Sequence, residues 1–253
     1  MKSKIYIQNE KHQAGMTMKD FESPESNNMA LHACESAKSV LYNRERLASF
    51  LQSSPANFVF ANQTHSANFH HVTENDRGKG ALRQDTAIAD TDALYTFEPN
   101  IVLCSLTADC VPVIFYSEDN PLIGVIHSGW QGTVKEITLK LFQHLQQTEQ
   151  CNLNHVHVQM GAALSQRKFE VDEDVYTKFH DLGYADEWIE YNEVTNKFHI
   201  DNQLTVKKQC ELAGIPPGNI SVDRMCTFQS TDGFSYREDK QAGRHLSFIR
   251  RTK

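Results

Sequence analysis

Three near-continuous apolar runs lie close together in the middle of the chain: Ile101 to Leu106, Val111 to Tyr116 and Leu122 to Ile126. A strand with one wet face alternates apolar and polar residues, so runs this short and this uninterrupted read as buried strands. Directly after them, Thr133 to Gln147 has the period of an amphipathic helix, with Val134, Ile137, Leu141 and Leu145 on one side. Thr133 stands where a cap belongs, and Glu136 three residues on completes the pattern of a capping box.

The flanking sequence is mixed. Residues 10–40 are polar and read as irregular surface loop, and Arg44 to Leu51 has helical character. Phe58-Val59-Phe60 is a strand, and residues 73–91, punctuated by Gly78 and Gly80, read as a mobile loop. Further on, Val156 to Met160 is a strand, Asp172 to Leu182 a helix, and Lys197 to Ile200 a strand. A helix from Asp201 to Ala213 is stopped by Gly214, and Ile220 to Asp223 is a last short strand. No repeat, low-complexity run or linker divides residues 1–253. The pattern is that of one α+β domain with mixed β-sheets.

Each of three turns between such elements holds a potential metal ligand: His65 in Asn-Gln-Thr-His, Cys110 in Thr-Ala-Asp-Cys, and His127 in Ile-His-Ser-Gly-Trp. Two imidazoles and a thiolate are the donor set of a catalytic zinc that keeps its fourth position open. The wide and irregular spacing alone leaves a plainer reading open, with hydrogen-bonded histidines and a cysteine packed as a small apolar residue. Asp92 and Asp109 are the nearby carboxylates that could accept a proton or orient a ligand. Asp109 could equally bond a turn amide. Asn62 and Gln63 could position a sugar hydroxyl or simply close the turn. Arg244 and Arg237 each offer the planar donor fork that suits phosphate. His70, His71, His155 and His157 are competing ligands. The first two are adjacent, so a strand would face them oppositely, and the second two could share a strand face.

Composition narrows the partners. Net charge is −7 and apolar content 40%, an ordinary globular balance without the basic footprint of a nucleic-acid binder. A small-molecule substrate is expected. No segment approaches the roughly 20 apolar residues of a membrane helix, and the N-terminus lacks a signal-peptide core. Six cysteines without close pairing argue for reduced thiols and a cytoplasmic location. The dinucleotide, phosphate-loop and zinc-deaminase signatures are missing.

The blocks Asn-Gln-Thr-His (62–65), Asp-Ala-Leu-Tyr-Thr (92–96), Thr-Ala-Asp-Cys-Val-Pro-Val (107–113), His-Ser-Gly-Trp-Gln-Gly-Thr (127–133) and Phe-Glu-Val (169–171) occur in that order. Cys226-Thr227, Phe-Ser-Tyr-Arg (234–237) and Gly243-Arg244 follow. In this the chain resembles the YfiH-type purine nucleoside phosphorylase family, formerly called laccase-domain or multicopper polyphenol oxidase proteins, over nearly its whole length. The resemblance implies zinc bound by His65, Cys110 and His127, Arg244 at the site, and layered α/β/β/α packing. It also implies phosphorolysis of adenosine, inosine and S-methyl-5'-thioadenosine, with purine nucleoside and phosphate as partners, together with deamination of adenosine. Three positions depart from the family pattern: Gln131 stands where an arginine is usual, Ala162 where a proline is, and Ser66 where a glycine is. Those departures bear on phosphate affinity and substrate preference, not on the ligands. A multicopper oxidase needs His-x-His pairs, and only His155-x-His157 has that form, so zinc is expected and copper at most as a secondary occupant. Two rivals stay open: a cysteine or zinc hydrolase or amidase using Cys110 with His65 or His127, for example on cell-wall precursors, and a metal-binding protein without turnover.

Overall fold

The computed structural model describes residues 1–252. β1 (Ser3–Gln8) and β2 (His12–Thr17) form a hairpin, followed by α1 (Ala37–Phe50). β3 (Phe58–Phe60), β4 (Phe69–His71) and β5 (Ala93–Thr96) are short. The three apolar runs become β6 (Val102–Thr107), β7 (Val111–Ser117) and β8 (Ile123–Ser128), and α2 (Trp130–Val134) and α3 (Ile137–Gln147) come next. β9 (Val156–Met160), β10 (Glu170–Val171), α4 (Glu173–His180), β11 (Ile189–Asn192) and β12 (Lys197–Ile200) lead to α5 (Asn202–Ala213). β13 (Ile220–Val222) and β14 (His245–Arg251) complete the order.

The strands form a five-stranded sheet, β1-β2-β14-β6-β3, a six-stranded sheet, β13-β9-β7-β8-β5-β4, and a small one, β10-β12-β11. Both large sheets are mixed: β3 runs parallel to β6, β4 to β5 and β13 to β9, while the other pairs are antiparallel. They pack face to face, with Ala14, Val59, Leu103 and Ile249 of the first against Leu94, Ile114, Ile123 and Val125 of the second. α1 covers the outer face of the five-stranded sheet, placing Leu47, Ala48 and Leu51 on Phe58, Phe60, Cys104 and Phe248. α3 and α5 cover the outer face of the other, with Leu141, Leu145, Val206 and Cys210 over Val113, Phe115 and Val158. This is an α/β/β/α stack. A strand in either inner layer is covered on both faces, and so the central runs cannot alternate.

Two local expectations fail. Residues 10–40 are not a surface loop. Every residue of β2 is buried, as are Asn27, Asn28, Met29 and Ala30. The polar side chains there find partners inside: Thr17 Oγ1 accepts from the Leu246 amide, Gln13 Oε1 from Arg250, and Asn43 Nδ2 donates to the Pro24 and Asn28 carbonyls. Nor does one helix run from Thr133 to Gln147. It starts at Trp130, with Thr133 inside α2, and breaks at Glu136, whose φ of 60° is left-handed. The Thr133 hydroxyl bonds Ser128 and Gly129 instead of capping, while the Glu136 carboxylate accepts from Tyr184. The 201–213 reading fits α5, where Asp201 accepts from the Leu204 amide and Gly214 closes the helix in a left-handed conformation.

Residues 73–91 are irregular but not loose, because Arg44 holds them. This arginine is 1% exposed and has no carboxylate partner among the described residues. It donates to the carbonyls of Met29 (2.9 Å), Gly80 (2.8 Å) and Ala81 (2.7 Å), and lies 4.0 Å over the Phe60 ring. Each buried carbonyl left unpaired costs about 1–3 kcal/mol. Arg44→Leu is therefore expected to lower the urea-unfolding free energy by about 3 kcal/mol or more. A change below ~1 kcal/mol in that titration would mean the three carbonyls find other donors.

Candidate metal centre and its two clefts

The three candidate ligands sit at strand ends in different layers. His65 follows β3 of the five-stranded sheet. Cys110 opens β7 after leaving β6, and His127 lies near the end of β8 in the six-stranded sheet. The donor atoms of His65, Cys110 and His127 lie within 4.8 Å of one another. The two imidazoles meet edge to face with centroids 4.8 Å apart, and Cys110 Sγ is 3.8 Å from His65 Nε2.

Asp92, at the entrance to β5, assembles this arrangement. Its carboxylate accepts from the amides of Thr64 (3.1 Å), His65 (3.1 Å) and Ser66 (2.7 Å), and from the Ser66 hydroxyl (2.7 Å). It also receives His127 Nδ1 at 2.8 Å. A carboxylate only accepts here, so Nδ1 carries the proton and Nε2 is free to face Cys110. Burial opposes the charge on Asp92, yet these hydrogen bonds outweigh it and hold the carboxyl well below its usual range. The Ser66 hydroxyl thus adds a side-chain bond to this carboxylate. Ala162 is fully buried, and Gln131 is exposed on α2.

Two site residues adopt left-handed backbone: His65 at φ 59° and Asp109 at φ 85°. Such conformations cost about 1–3 kcal/mol each unless the surroundings impose them. For His65 the Asp92 bonds do so. Asp109 spends its own carboxylate on the same task, accepting from the Thr227 hydroxyl (2.7 Å) and the Arg237 amide (2.7 Å). Gly129 closes the wall behind the three candidate donors: a Cβ there would lie 2.6 Å from His65 Cδ2 and 2.9 Å from Cys110 Sγ. Only glycine lets the backbone pass this close.

Burial would raise the Cys110 thiol, but His127 and then His65 outweigh it and leave it lowered. His127 moves the opposite way. Burial lowers it, but Cys110 and Asp92 prevail and raise it. The donor set fits zinc, with two imidazole nitrogens, a thiol already disposed to ionise, and a carboxylate behind one histidine.

Two clefts open on the centre and share His65, Ala108, Cys110 and Tyr236. The larger, 420 Å³, is lined by His32, Asn62, Gln63, Gln84, Thr107 and Arg244 among others. The smaller, 290 Å³, adds Asp109, Trp130, Leu164, Phe169, Asn202 and Arg237. Asn62 and Arg244 are thus brought to the site. Gln63 also reaches it, but both ends of its carboxamide are bound to the Leu106 peptide at 2.7 and 2.8 Å, closing the turn. Arg244 donates to the Ala242 and Gly243 carbonyls, and its guanidinium carbon is 5.6 Å from the centroid of the Tyr236 ring. Asp92 lies beneath the clefts and lines neither. The competing histidines lie elsewhere: His70 pairs with Asp76, His71 stacks on Tyr95, and His157 stacks on Tyr116 beside Glu118. Cys226 is buried and accepts from the Ser165 amide.

Sequence reasoning missed Trp130, Phe169 and Tyr236, although each lies within a block that carried the resemblance. His32 was hidden in the segment read as surface loop. Gln84 and Asn202 carry no local signal.

With this geometry in place, the likenesses are informative. The family model described as multi-copper polyphenol oxidoreductase laccase matches residues 9–252. A Bacillus subtilis protein named purine nucleoside phosphorylase YlmD is 33% identical over 237 residues, 93% of this chain and 84% of that one. A purine nucleoside phosphorylase of Staphylococcus saprophyticus is 35% identical over 225 residues, 88% and 84% of the two chains. The crystal structure of Bacillus licheniformis YfiH superposes with a TM-score of 0.90 at 34% identity, covering 94% of this chain and 92% of that one.

In metal-free protein at pH 7, iodoacetamide should label Cys110 before Cys34, whose thiol is raised by burial and by Glu25. His127→Ala removes the cation, so Cys110 labelling should slow by about tenfold for each unit its thiol rises. Labelling of Cys34 first would contradict the electrostatics described above.

Proposed function

This chain belongs to the multi-copper polyphenol oxidoreductase laccase family, and we propose that it is a zinc-dependent purine nucleoside phosphorylase working at His65, Cys110 and His127. Relatives named as purine nucleoside phosphorylases along most of the chain support an enzyme of that kind. The observation that carries the reading here is the junction itself, a three-donor centre between an aromatic cleft and a polar one bearing Arg244.

The proposed substrates are adenosine, inosine and S-methyl-5'-thioadenosine with phosphate, and adenosine is also deaminated. In phosphorolysis a phosphate oxygen bonds to the sugar anomeric carbon as the bond to the base breaks, and the base leaves with a proton. Zinc, held by the two imidazoles and the thiolate, supplies a Lewis acid when bound. Arg244 is the proposed phosphate anchor: beyond its two backbone contacts, its other donors have no protein partner among the described residues. Asn62, exposed at the rim, is the proposed contact for a sugar hydroxyl. Asp92 and Asp109 both have their carboxylates engaged, which favours positioning over proton transfer. Asp92 fixes the His127 tautomer and Asp109 shapes the turn before Cys110.

A second reading rests on one specific feature. Cys110, His127 and Asp92 are linked in the order of a nucleophile, its base and an orienting carboxylate. A metal-free cysteine hydrolase would use the same three residues, but zinc-loaded protein cannot, since the thiolate is then a ligand.

Chromatography of products from adenosine and inosine, with and without phosphate, separates these readings. Zinc-loaded wild type should release adenine and hypoxanthine only when phosphate is present, and inosine from adenosine without it. Cys110→Ala should lose both by at least about a hundredfold, the order of effect expected when a metal site is dismantled. Well-folded, zinc-loaded protein inert on both nucleosides would end the nucleoside reading.

A further inference from the structure

A second cluster of ligating side chains lies apart from His65, Cys110 and His127. His71 ends β4, the edge strand of the six-stranded sheet, and Tyr95 is its register partner on β5. His144 lies in the last turn of α3, and Glu149 follows two residues after that helix ends. These three segments bring four polar groups together around one carboxylate oxygen. Glu149 Oε1 accepts from the Tyr95 hydroxyl at 2.8 Å, and it stands 3.7 Å from His144 Nε2 and 3.8 Å from His71 Nδ1. His144 Nε2 is also 3.0 Å from the Tyr95 oxygen.

Donors bound tetrahedrally at about 2.1 Å from one small ion stand about 3.4 Å apart. Both imidazole–carboxylate separations are a few tenths of an ångström longer, a gap that small side-chain rotations close. The rings are held ready for this. His71 stacks on Tyr95 with centroids 4.8 Å apart and meets Phe97 edge-on at 5.5 Å, while His144 lies 5.0 Å from Phe69. Burial and Glu149 raise the Tyr95 phenol, so it keeps its proton and donates it. Such a bond from behind orients a ligating carboxylate. The side chains of His71, His144 and Glu149 are 40%, 27% and 24% exposed, so an ion can reach them from solvent. Two imidazoles and one carboxylate suit a borderline divalent ion, and they are too few oxygens for calcium or magnesium.

We infer that His71, His144 and Glu149 form an accessory site for a borderline divalent cation of the zinc and copper(II) class, with Tyr95 orienting Glu149. The bound ion ties the edge of the sheet to the end of α3, because β4 is joined to β5 by only three register pairs. The site shares no residue with the His65, Cys110 and His127 cluster, and the inference is independent of the nucleoside reading. The alternative is a hydrogen-bonded ion-pair network with no affinity for a metal.

The test is a zinc titration of the full-length protein by equilibrium dialysis. Wild type should bind a second zinc beyond the first, and Cys110→Ala, which dismantles the other cluster, should keep this one. Glu149→Gln retains an acceptor for Tyr95 but loses the charge. It should weaken the second zinc by at least about tenfold and leave the first unchanged, as should His71→Asn. These side chains are partly exposed, so neither substitution opens the core. His70→Gln removes the adjacent histidine, which pairs with Asp76 instead, and should change neither zinc. Cobalt(II) reports the donors: its second equivalent should add d–d absorption without any further thiolate charge-transfer band. A single zinc in wild type, or a second one unmoved by Glu149→Gln and His71→Asn, overturns the site. Equal loss in His70→Gln overturns it as unspecific histidine binding, and a growing charge-transfer band overturns it by placing the ion on a cysteine.

Discussion

The carboxylate of Asp92 is the contact on which the rest of the site depends. One side chain receives three consecutive backbone amides from the turn after β3 and the ring proton of a histidine on β8. Those two segments belong to different sheets, so the bond also marks where the two layers are registered against each other. Its energy comes from being buried and saturated at once. An ionised carboxylate in a dry interior is strongly unfavourable when bare and stable when every oxygen is occupied. The left-handed turn at His65 is the geometry that lets three amides converge on one acceptor, so the backbone cost there is inseparable from the pairing.

The layered core explains why His65, Cys110 and His127 can be so far apart in sequence and still meet. β6 lies in one sheet and β7 in the other, and the chain crosses between them through the short turn that holds Asp109 and Cys110. A crossover between face-packed sheets must be tight, and a tight turn at a layer boundary fixes its side chains firmly. Gly129, just past the end of β8, lets the opposite wall approach within contact of the same point.

Much of this is legible in the sequence itself. The central strands were readable because double burial leaves an uninterrupted apolar run, and α5 because Asp201 and Gly214 mark its ends chemically. β2 was not readable. His-Gln-Ala-Gly-Met-Thr has no strand pattern of its own, and its burial depends on Gln13 and Thr17 finding Arg250 and the Leu246 amide at the far end of the chain. The break at Glu136 was hidden for a related reason. The spacing of Thr133 and Glu136 fits a cap, but Tyr184 and Gln209, from other segments, take the Glu136 carboxylate and the Thr133 carbonyl. At the site, the convergence of His65, Cys110 and His127 was readable from distinctive blocks. The cleft walls were not, since an asparagine at the start of a helix or a histidine in a polar stretch has no signature until the fold places it.

The division of labour between strand ends and loops has an evolutionary consequence. His65, Cys110, His127 and Asp92 are anchored by sheet registration, and altering one disturbs two layers. Tyr236, Arg237 and Arg244 belong to the segment between β13 and β14, where Tyr236 and Arg237 are exposed and Arg244 is half-buried. A lineage can therefore revise what the clefts admit while inheriting the reactive centre unchanged. Diversity among such proteins should concentrate in that late segment and in the wall residues, with the His65, Cys110 and His127 cluster as the fixed point around which the shape of the clefts moves.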